Sequence, residues 1–289
     1  MMLCIRMIAP YMNAMTMPSP LVDRSALLRH RARALPDHLF LHESIADELH
    51  ERLIEVNRTF TSPAIVTGFP DFWRERFPDA TIVADDDTLA LTPGAHDLVL
   101  HIMGLHWAND PVGQLVQCRH ALRPDGLLLA FCLGGQTLHE LRSALAEAEA
   151  QITGGLSPRV APMGEIRDLG ALLQRAGLAL PVADGDKLTV SYANMFHLMH
   201  DLRKMGETNA LTRRIRHLTQ RQVLTKASSI YAQHFRNAAG RVDATFEIIT
   251  LTGWAPADSQ PQPLRPGSAK SRLADALGAK ELPLERSKD

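Results

Sequence analysis

Two adjacent residues near the middle of the chain have side chains suited to a reaction site. His106 and Trp107 follow the apolar run LVLHIM, which is typical of a buried strand. An imidazole can give or take a proton near neutral pH, and an indole can form the wall of a pocket. We therefore predict a site here with His106 as its catalytic base. The alternative is a packed tryptophan beside a hydrogen-bonded histidine.

A second candidate is the acidic triplet Asp85, Asp86 and Asp87, which follows the strand-like segment TIV. A carboxylate at the end of a strand in a nucleotide-binding sheet can accept both hydroxyls of a ribose. Three adjacent carboxylates are also easily hydrated. A ribose-binding position and a solvated acidic turn are therefore both open.

The third candidate is Gly68, in the stretch AIVTGFPDFW. A nucleotide-binding turn needs one glycine for its tight bend and another so that the backbone can approach the ligand. Here Phe69 adds a bulky side chain, and Pro70 removes a backbone donor. The stretch indicates a remodelled turn, with an intact cofactor turn as the alternative.

Gly134 and Gly135 precede a predicted helix that opens with Thr137 and Glu140 in the spacing of a capping box. Free amides at a helix start can hold an anion. An ordinary connection between a strand and a helix is the interpretation that we favour, and an anion site is the alternative.

A basic segment lies further along the chain. Its arginines are Arg213, Arg214, Arg216 and Arg221. No aromatic residues alternate with them, and the net charge of the chain is −1. We interpret the segment as a solvated basic face and predict no nucleic-acid partner. A surface that docks a protein partner is the alternative.

The elements that would position these residues alternate between strands and helices. Predicted strands are 64–68, 81–87, one within 96–107, 127–134, 187–192 and 242–254, and predicted helices are 21–35, 40–56, 71–77, 109–122, 137–152, 165–177, 194–206 and 212–235. A turn is predicted at 123–126. Near-continuous apolar strands between helices predict an α/β fold with a doubly wound, mostly parallel sheet.

The domain organisation follows from the same pattern. We predict a disordered lead over 1–20, N-terminal helices over 21–60 and a main domain over 61–254, with a helical insertion at about 194–236. The Pro- and Ser-rich end, 255–289, is predicted to be a flexible tail.

Composition limits the class of protein. Of 289 residues, 45% are hydrophobic and 22% are charged, which is typical of a globular protein with a sizeable core. The three cysteines form no C-x-x-C pair, so we predict neither a disulfide framework nor a metal site. No apolar run is long enough to span a bilayer. These features predict a cytoplasmic location.

Several segments together resemble class I S-adenosylmethionine-dependent methyltransferases over roughly residues 21–278. The similarity is greatest to a subgroup related to the mitochondrial complex I assembly factor of methyltransferase fold. The malonyl-carrier-protein methyltransferase of biotin synthesis is a more distant relative. GGQTLHELR and DLRKMGETNAL are specific to the subgroup, whereas HDLVL and RPDGLLL are shared by many methyltransferases.

The resemblance implies a Rossmann-like sheet and S-adenosylmethionine as the cofactor. The family's first strand leads into D-L-G-C-G-x-G, and of that motif only Gly68 carries over. Gly68 and His96 are 28 positions apart, which is short for the family and implies the loss of one strand–helix unit. Asp86 and Asp87 match residues that contact the adenine part of the donor. His106 and Trp107 match the family's L-x-W beside the methyl-donor pocket.

Together these matches imply a methyltransferase-family protein with a degenerate donor-binding turn, in which S-adenosylmethionine is either retained or lost. Two alternatives remain. One is a non-catalytic assembly or binding factor of the complex I type, with a respiratory-chain subunit as its partner. The other is an enzyme that modifies arginine on a protein substrate.

Overall fold

A six-stranded sheet forms the centre of the protein in the computed structural model, which describes residues 19–261 and 278. The strands are β1 (Pro63–Thr67), β2 (Thr81–Val83), β3 (His96–Ile102), β4 (Leu122–Leu133), β5 (Ala179–Tyr192) and β6 (Val242–Trp254). Their order is β2-β1-β3-β4-β6-β5. The first four strands are parallel, and β6 runs antiparallel to both β4 and β5. The predicted fold class is confirmed.

The described helices are α1 (Arg24–Arg31), α2 (Phe40–Val56), α3 (Pro70–Arg76), α4 (Pro111–Ala121), α5 (His139–Thr153), α6 (Ile166–Arg175), α7 (Met195–Lys204) and α8 (Arg221–His234). They cover both faces of the sheet. In β4, Leu127, Leu129 and Phe131 pack in a core with α2, α5, α7 and α8. Leu128, Ala130 and Cys132 point the other way, into a core with α4 and α6. This alternation explains why the sequence of β4 is apolar throughout.

The sheet ends early on the side of β1. Between β1 and β3 the chain forms one strand, β2, of three residues. The shortened edge that we predicted from the spacing of Gly68 and His96 is therefore present. It brings the end of β2, and with it the acidic triplet, next to the turn that follows β1.

Three elements differ from the predictions. The predicted turn at 123–126 lies inside β4, where Asp125 adopts a left-handed φ of 62°. β5 begins at Ala179 rather than 187, because an edge strand tolerates the proline and glycine of its first half. The helix predicted from 212 begins only at Arg221, because residues 211–214 bond instead to the segment before α1.

Chain contacts divide the protein into two compact units, one ending at Pro256 and one beginning at Ala257. The described residues of the second unit are 257–261 and 278. Most of the lead predicted over 1–20, and most of the tail predicted over 255–289, lie outside the described residues. The domain boundaries remain a prediction.

A buried histidine links α2 to α3. His42 is 3% exposed, and the indole N–H of Trp73 donates to its Nδ1 at 3.2 Å. Burial lowers the pKa of His42 from 6.5 to about 3. The side chain is therefore neutral in the folded protein at neutral pH.

Because of His42, the free energy of unfolding should decrease as the pH falls. Above pH 6.5 it is neutral in both states. Between pH 6.5 and about 3 only the unfolded chain binds the proton, so stability is lost, by roughly 4 to 5 kcal/mol over the full window. His42→Gln keeps an acceptor for Trp73 but does not titrate. Urea unfolding at several pH values should show a smaller loss for the variant, and parallel curves for the two proteins would contradict this assignment.

Candidate functional site

The carboxyl ends of β1, β2 and β3 meet around one buried guanidinium. Arg31, the last residue of α1, lies against the turn after β1, so that a methyl group added at Gly68 would collide with its guanidinium. Gly68 therefore allows another group to approach the backbone closely, but that group is the side chain of Arg31 and not a ligand. Nothing in the sequence pattern of α1 sets Arg31 apart from its neighbouring arginines.

Asp85 holds Arg31 in place. Nη1 of Arg31 donates to both carboxylate oxygens of Asp85 at 2.8 Å, and Nη2 donates to the carbonyl of Met103 at 3.3 Å. The two side chains are 4% and 2% exposed. Burial by itself raises the pKa of Asp85, but the charges of Arg31 and Arg24 outweigh it and hold that pKa below its usual value. The pair is therefore ionised.

The other two carboxylates of the triplet lie outside this pair. Asp86 accepts from Arg24 at 3.0 Å, and its side chain is 59% exposed. Asp87 is exposed and engages Gln117 through its backbone carbonyl at 3.0 Å. The structure thus places Asp85, rather than Asp86 or Asp87, at the turn. Donor contacts by Gly68, Asp86 and Asp87 remain a prediction.

The space beside the turn is filled. Phe69 is buried, with its ring centroid 5.8 Å from the guanidinium carbon of Arg31 and 4.7 Å from the ring of His42. Met103 adopts a φ of 54°, a left-handed conformation that costs a non-glycine residue on the order of 1 kcal/mol. The carboxylate of Asp85 accepts two hydrogen bonds from Arg31 and one from Arg24, so arginine side chains occupy the position where a ribose would approach it. In this arrangement the residues do not fit S-adenosylmethionine.

His106 and Trp107 meet at a second buried carboxylate. The indole N–H of Trp107 donates to Oε2 of Glu207 at 2.7 Å, and Nε2 of His106 lies 3.2 Å from the same oxygen. The backbone N–H of Leu133 donates to Nδ1 of His106 at 3.3 Å. Nδ1 therefore carries no proton, and Nε2–H donates to Glu207. Both ring nitrogens are engaged, so this geometry favours the hydrogen-bonded alternative, and the role of His106 as a base remains a prediction.

Glu207 is the residue that sequence reasoning missed, although it lies in the segment DLRKMGETNAL. Its side chain is 6% exposed. Burial by itself raises the pKa of Glu207, but the hydrogen bond from His106, the charge of Arg31 and the hydrogen bond from Trp107 outweigh burial and lower that pKa. Its second oxygen, Oε1, is buried and has no hydrogen-bond partner among the described residues.

A cavity of about 380 Å³ lies beside Glu207 and Trp107, at the carboxyl end of β4. Leucines of β4 and α5 form one wall, and α7 with the segment 159–163 forms the other. Its lining is largely apolar, with a few charged groups, which is typical of a ligand pocket. The cavity is separate from the turn at Gly68, whose residues do not line it.

The helix start after β4 is also occupied by the chain itself. The carboxylate of Glu247 accepts from the backbone N–H of Gln136 at 2.9 Å and lies where a side chain at Gly135 would be. The hydroxyl of Thr137 bonds to the carbonyl of Gly134 at 2.8 Å, and Glu140 accepts from Thr245. The predicted capping box is therefore wrong, and an internal carboxylate takes the position of an anion.

The basic segment is partly neutralised by α1. Arg214 and Arg216 lie 3.0 and 3.6 Å from the same oxygen of Asp23, which also caps α1, while Arg213 and Arg221 are exposed. Among the described residues, the carboxylates close enough to share a metal ion are Glu48, Asp184 and Asp186. Arg52 forms ion pairs with two of them, so we propose no metal site there.

The mostly parallel sheet with its antiparallel strand β6 is the arrangement of a class I methyltransferase-family protein. Over 231 residues the chain is 36% identical to the mitochondrial arginine-hydroxylase NDUFAF5 of Danio rerio, covering 80% of this chain and 71% of that protein. The chain belongs to the family of these NDUFAF5 proteins.

Other relatives agree with this assignment. The human NDUFAF5 is 39% identical over 192 residues, and the chain spans 55% of its length. A malonyl-[acyl-carrier protein] O-methyltransferase of Laribacter hongkongensis is 34% identical over 178 residues, 62% of this chain and 57% of that protein.

No family model matches the chain. A solved putative methyltransferase of Bacillus halodurans, at 14% identity, aligns with a TM-score of 0.46 over 72% of this chain and 98% of that one.

The relatives correct one prediction. The cytoplasmic location predicted from composition is wrong, because the relatives that show the family are named as mitochondrial proteins. The cysteine pattern predicts at most a reducing environment, and it does not distinguish between compartments that share one. Among the described residues, no helix combines the length and the apolar character that crossing a membrane requires.

The burial of the Arg31–Asp85 ion pair leads to a prediction about the free energy of unfolding. Asp85→Asn leaves the guanidinium of Arg31 buried without its counter-charge, which should lower the free energy of unfolding by about 3 to 5 kcal/mol. Asp86→Asn makes the same chemical change at an exposed ion pair and should cost at most about 1 kcal/mol. Urea unfolding of both variants tests the difference. Equal losses would show that the buried pair does not hold α1 on the turn.

Proposed function

We propose that this chain is a family member that does not use S-adenosylmethionine and that acts by binding a protein partner. The observation that carries the proposal is the Arg31–Asp85 pair, which covers the turn glycine and uses both oxygens of the acidic residue. A donor could enter only if a buried ion pair opened, and breaking such a pair costs several kcal/mol.

A respiratory-chain subunit is the partner that we propose. The support is the resemblance of DLRKMGETNAL and GGQTLHELR to the complex I assembly subgroup, together with the family membership. The cavity beside Glu207 is the surface feature that would receive part of such a partner, because its lining is largely apolar, whereas Arg31 lies against the turn at Gly68.

Calorimetric titration with S-adenosylmethionine and with S-adenosylhomocysteine tests the loss of the donor site. We expect no binding heat and no shift in melting temperature at millimolar ligand. A methyltransferase with an intact glycine motif, measured in the same buffer, serves as the positive control. Saturable binding at micromolar concentration would contradict the proposal and would restore methyl transfer, with His106 as the candidate base.

Arginine modification is the second candidate, since the relatives that show the family are named arginine-hydroxylases. The favouring observation in this chain is a buried, ionised carboxylate, Glu207, in the wall of an open cavity. Arginine-containing peptides of respiratory-chain subunits are incubated in air with the protein and a cell extract that supplies a two-electron reductant. One oxygen atom of O2 should enter a C–H bond of arginine and raise the mass by that of one oxygen atom, while the other oxygen atom leaves as water. Peptides unchanged relative to a protein-free control would leave binding alone as the function.

A further inference from the structure

We propose that two neighbouring loops dock the protein on an anionic lipid bilayer. The loops are 154–159, which follows α5, and 212–220, which precedes α8. Leu156 and Leu218 would enter the interface of the bilayer, and the arginines beside them would face its headgroups. The inference goes beyond the proposed function, because it concerns the surface on which the protein is held and not the partner that it binds.

The first support is the exposure of apolar side chains on both loops. Leu218 is 95% exposed and Leu156 is 71% exposed, and Ile152 at the end of α5 is 38% exposed. A single exposed leucine is ordinary. These two leucines, however, are the most exposed of the large apolar side chains that the structure describes. Each would leave water only when another surface receives it.

The two loops are joined by an ionic cluster. Arg159 donates from Nη1 to the hydroxyl of Thr219 at 3.0 Å, and from Nη2 and Nε to Glu149 at 2.7 and 3.1 Å. Glu149 also accepts from the backbone N–H and the hydroxyl of Ser157, at 2.9 and 2.8 Å. Ser157 and Thr219 each follow one of the two leucines directly in sequence. The two apolar side chains therefore belong to one surface.

The second support is the charge around the leucines. Neither loop contains an aspartate or a glutamate. Asp23 pairs with two of the four arginines of the basic segment. The other two, Arg213 and Arg221, are exposed and have no ion-pair partner in the part of the chain that the structure describes. Apolar side chains flanked by unpaired cations complement the headgroups of an anionic bilayer, because its negative surface potential attracts basic residues.

The residue types favour a bilayer over a protein partner. Hot spots of protein interfaces are enriched in tryptophan, tyrosine and arginine, and leucine is under-represented there. Neither loop contains a tryptophan, a tyrosine or a phenylalanine. An aliphatic side chain on a loop can enter the boundary between headgroups and acyl chains while the polar backbone stays among the headgroups.

Co-flotation of the full chain with lipid vesicles tests the proposal. We expect binding to phosphatidylcholine vesicles that contain about 30% phosphatidylglycerol, and binding about tenfold weaker or more to phosphatidylcholine alone. Raising the ionic strength from about 0.1 M to about 1 M should release the protein, because it shortens the Debye length. No binding to the anionic vesicles, or equal binding to the neutral ones, would overturn the proposal.

The contribution of the leucines is measured with a double variant. Leu156→Ala with Leu218→Ala should lower the affinity for the anionic vesicles about tenfold or more, because less apolar area enters the interface. Ile54→Ala with Val182→Ala is the matched control, since these side chains are 63% and 54% exposed and lie outside the loops. It should bind like the wild type, and equal losses for the two double variants would contradict the assignment of the surface.

The arginines have a separate signature. Arg213→Gln with Arg221→Gln should weaken binding to the anionic vesicles, leave the weak binding to phosphatidylcholine unchanged and reduce the dependence on salt. Unchanged flotation of both loop variants, together with weaker capture of respiratory-chain subunits, would assign the loops to a protein interface and overturn the proposal. The titration with S-adenosylmethionine is independent of vesicles, so failure of the proposed function is distinguishable from failure of this inference.

Discussion

The buried ion pair between Arg31 and Asp85 constrains most of the site around it. Two charges can be buried only if they neutralise each other with good geometry, and here the neighbouring backbone supplies the space. Gly68 admits the guanidinium, and Gly104 admits the carboxylate, since a methyl group there would lie 2.8 Å from Oδ2 of Asp85. Met103 turns into the left-handed region, and its carbonyl accepts from Nη2 of Arg31.

The same pair explains why the N-terminal helix packs at the carboxyl edge of the sheet. α1 is fixed at its end by Arg31 and at its start by Asp23, which caps the helix and bonds to Arg214. Val22 pairs with Leu211 in a short antiparallel bridge. The chain that precedes Arg221 is therefore used to hold α1, and for this reason it does not continue α8 as the apolar spacing predicted.

Much of the fold could be predicted because the strands are buried on both faces and the helices are amphipathic. β1, β3 and β6, and the helix over Phe40–Val56, followed from such local patterns. The site could be predicted only in part. Gly68, His106 and Trp107 were found because they follow strands, but their partners, Arg31 and Glu207, are 37 and about 100 residues away in sequence. Charge pairing over such distances leaves no periodic signal, and Arg31 is one of several arginines in a basic helix.

The two halves of this edge differ in how their charges are balanced. The charge of Arg31 acts on both buried carboxylates: it pairs with Asp85, and it also lowers the pKa of Glu207. Asp85 accepts hydrogen bonds from Arg31 and Arg24, whereas Oε2 of Glu207 accepts from Trp107 and His106 and its Oε1 has no partner among the described residues. The carboxylate at the turn is thus balanced by two cations of the same chain, whereas the carboxylate beside the cavity is held by neutral hydrogen-bond donors.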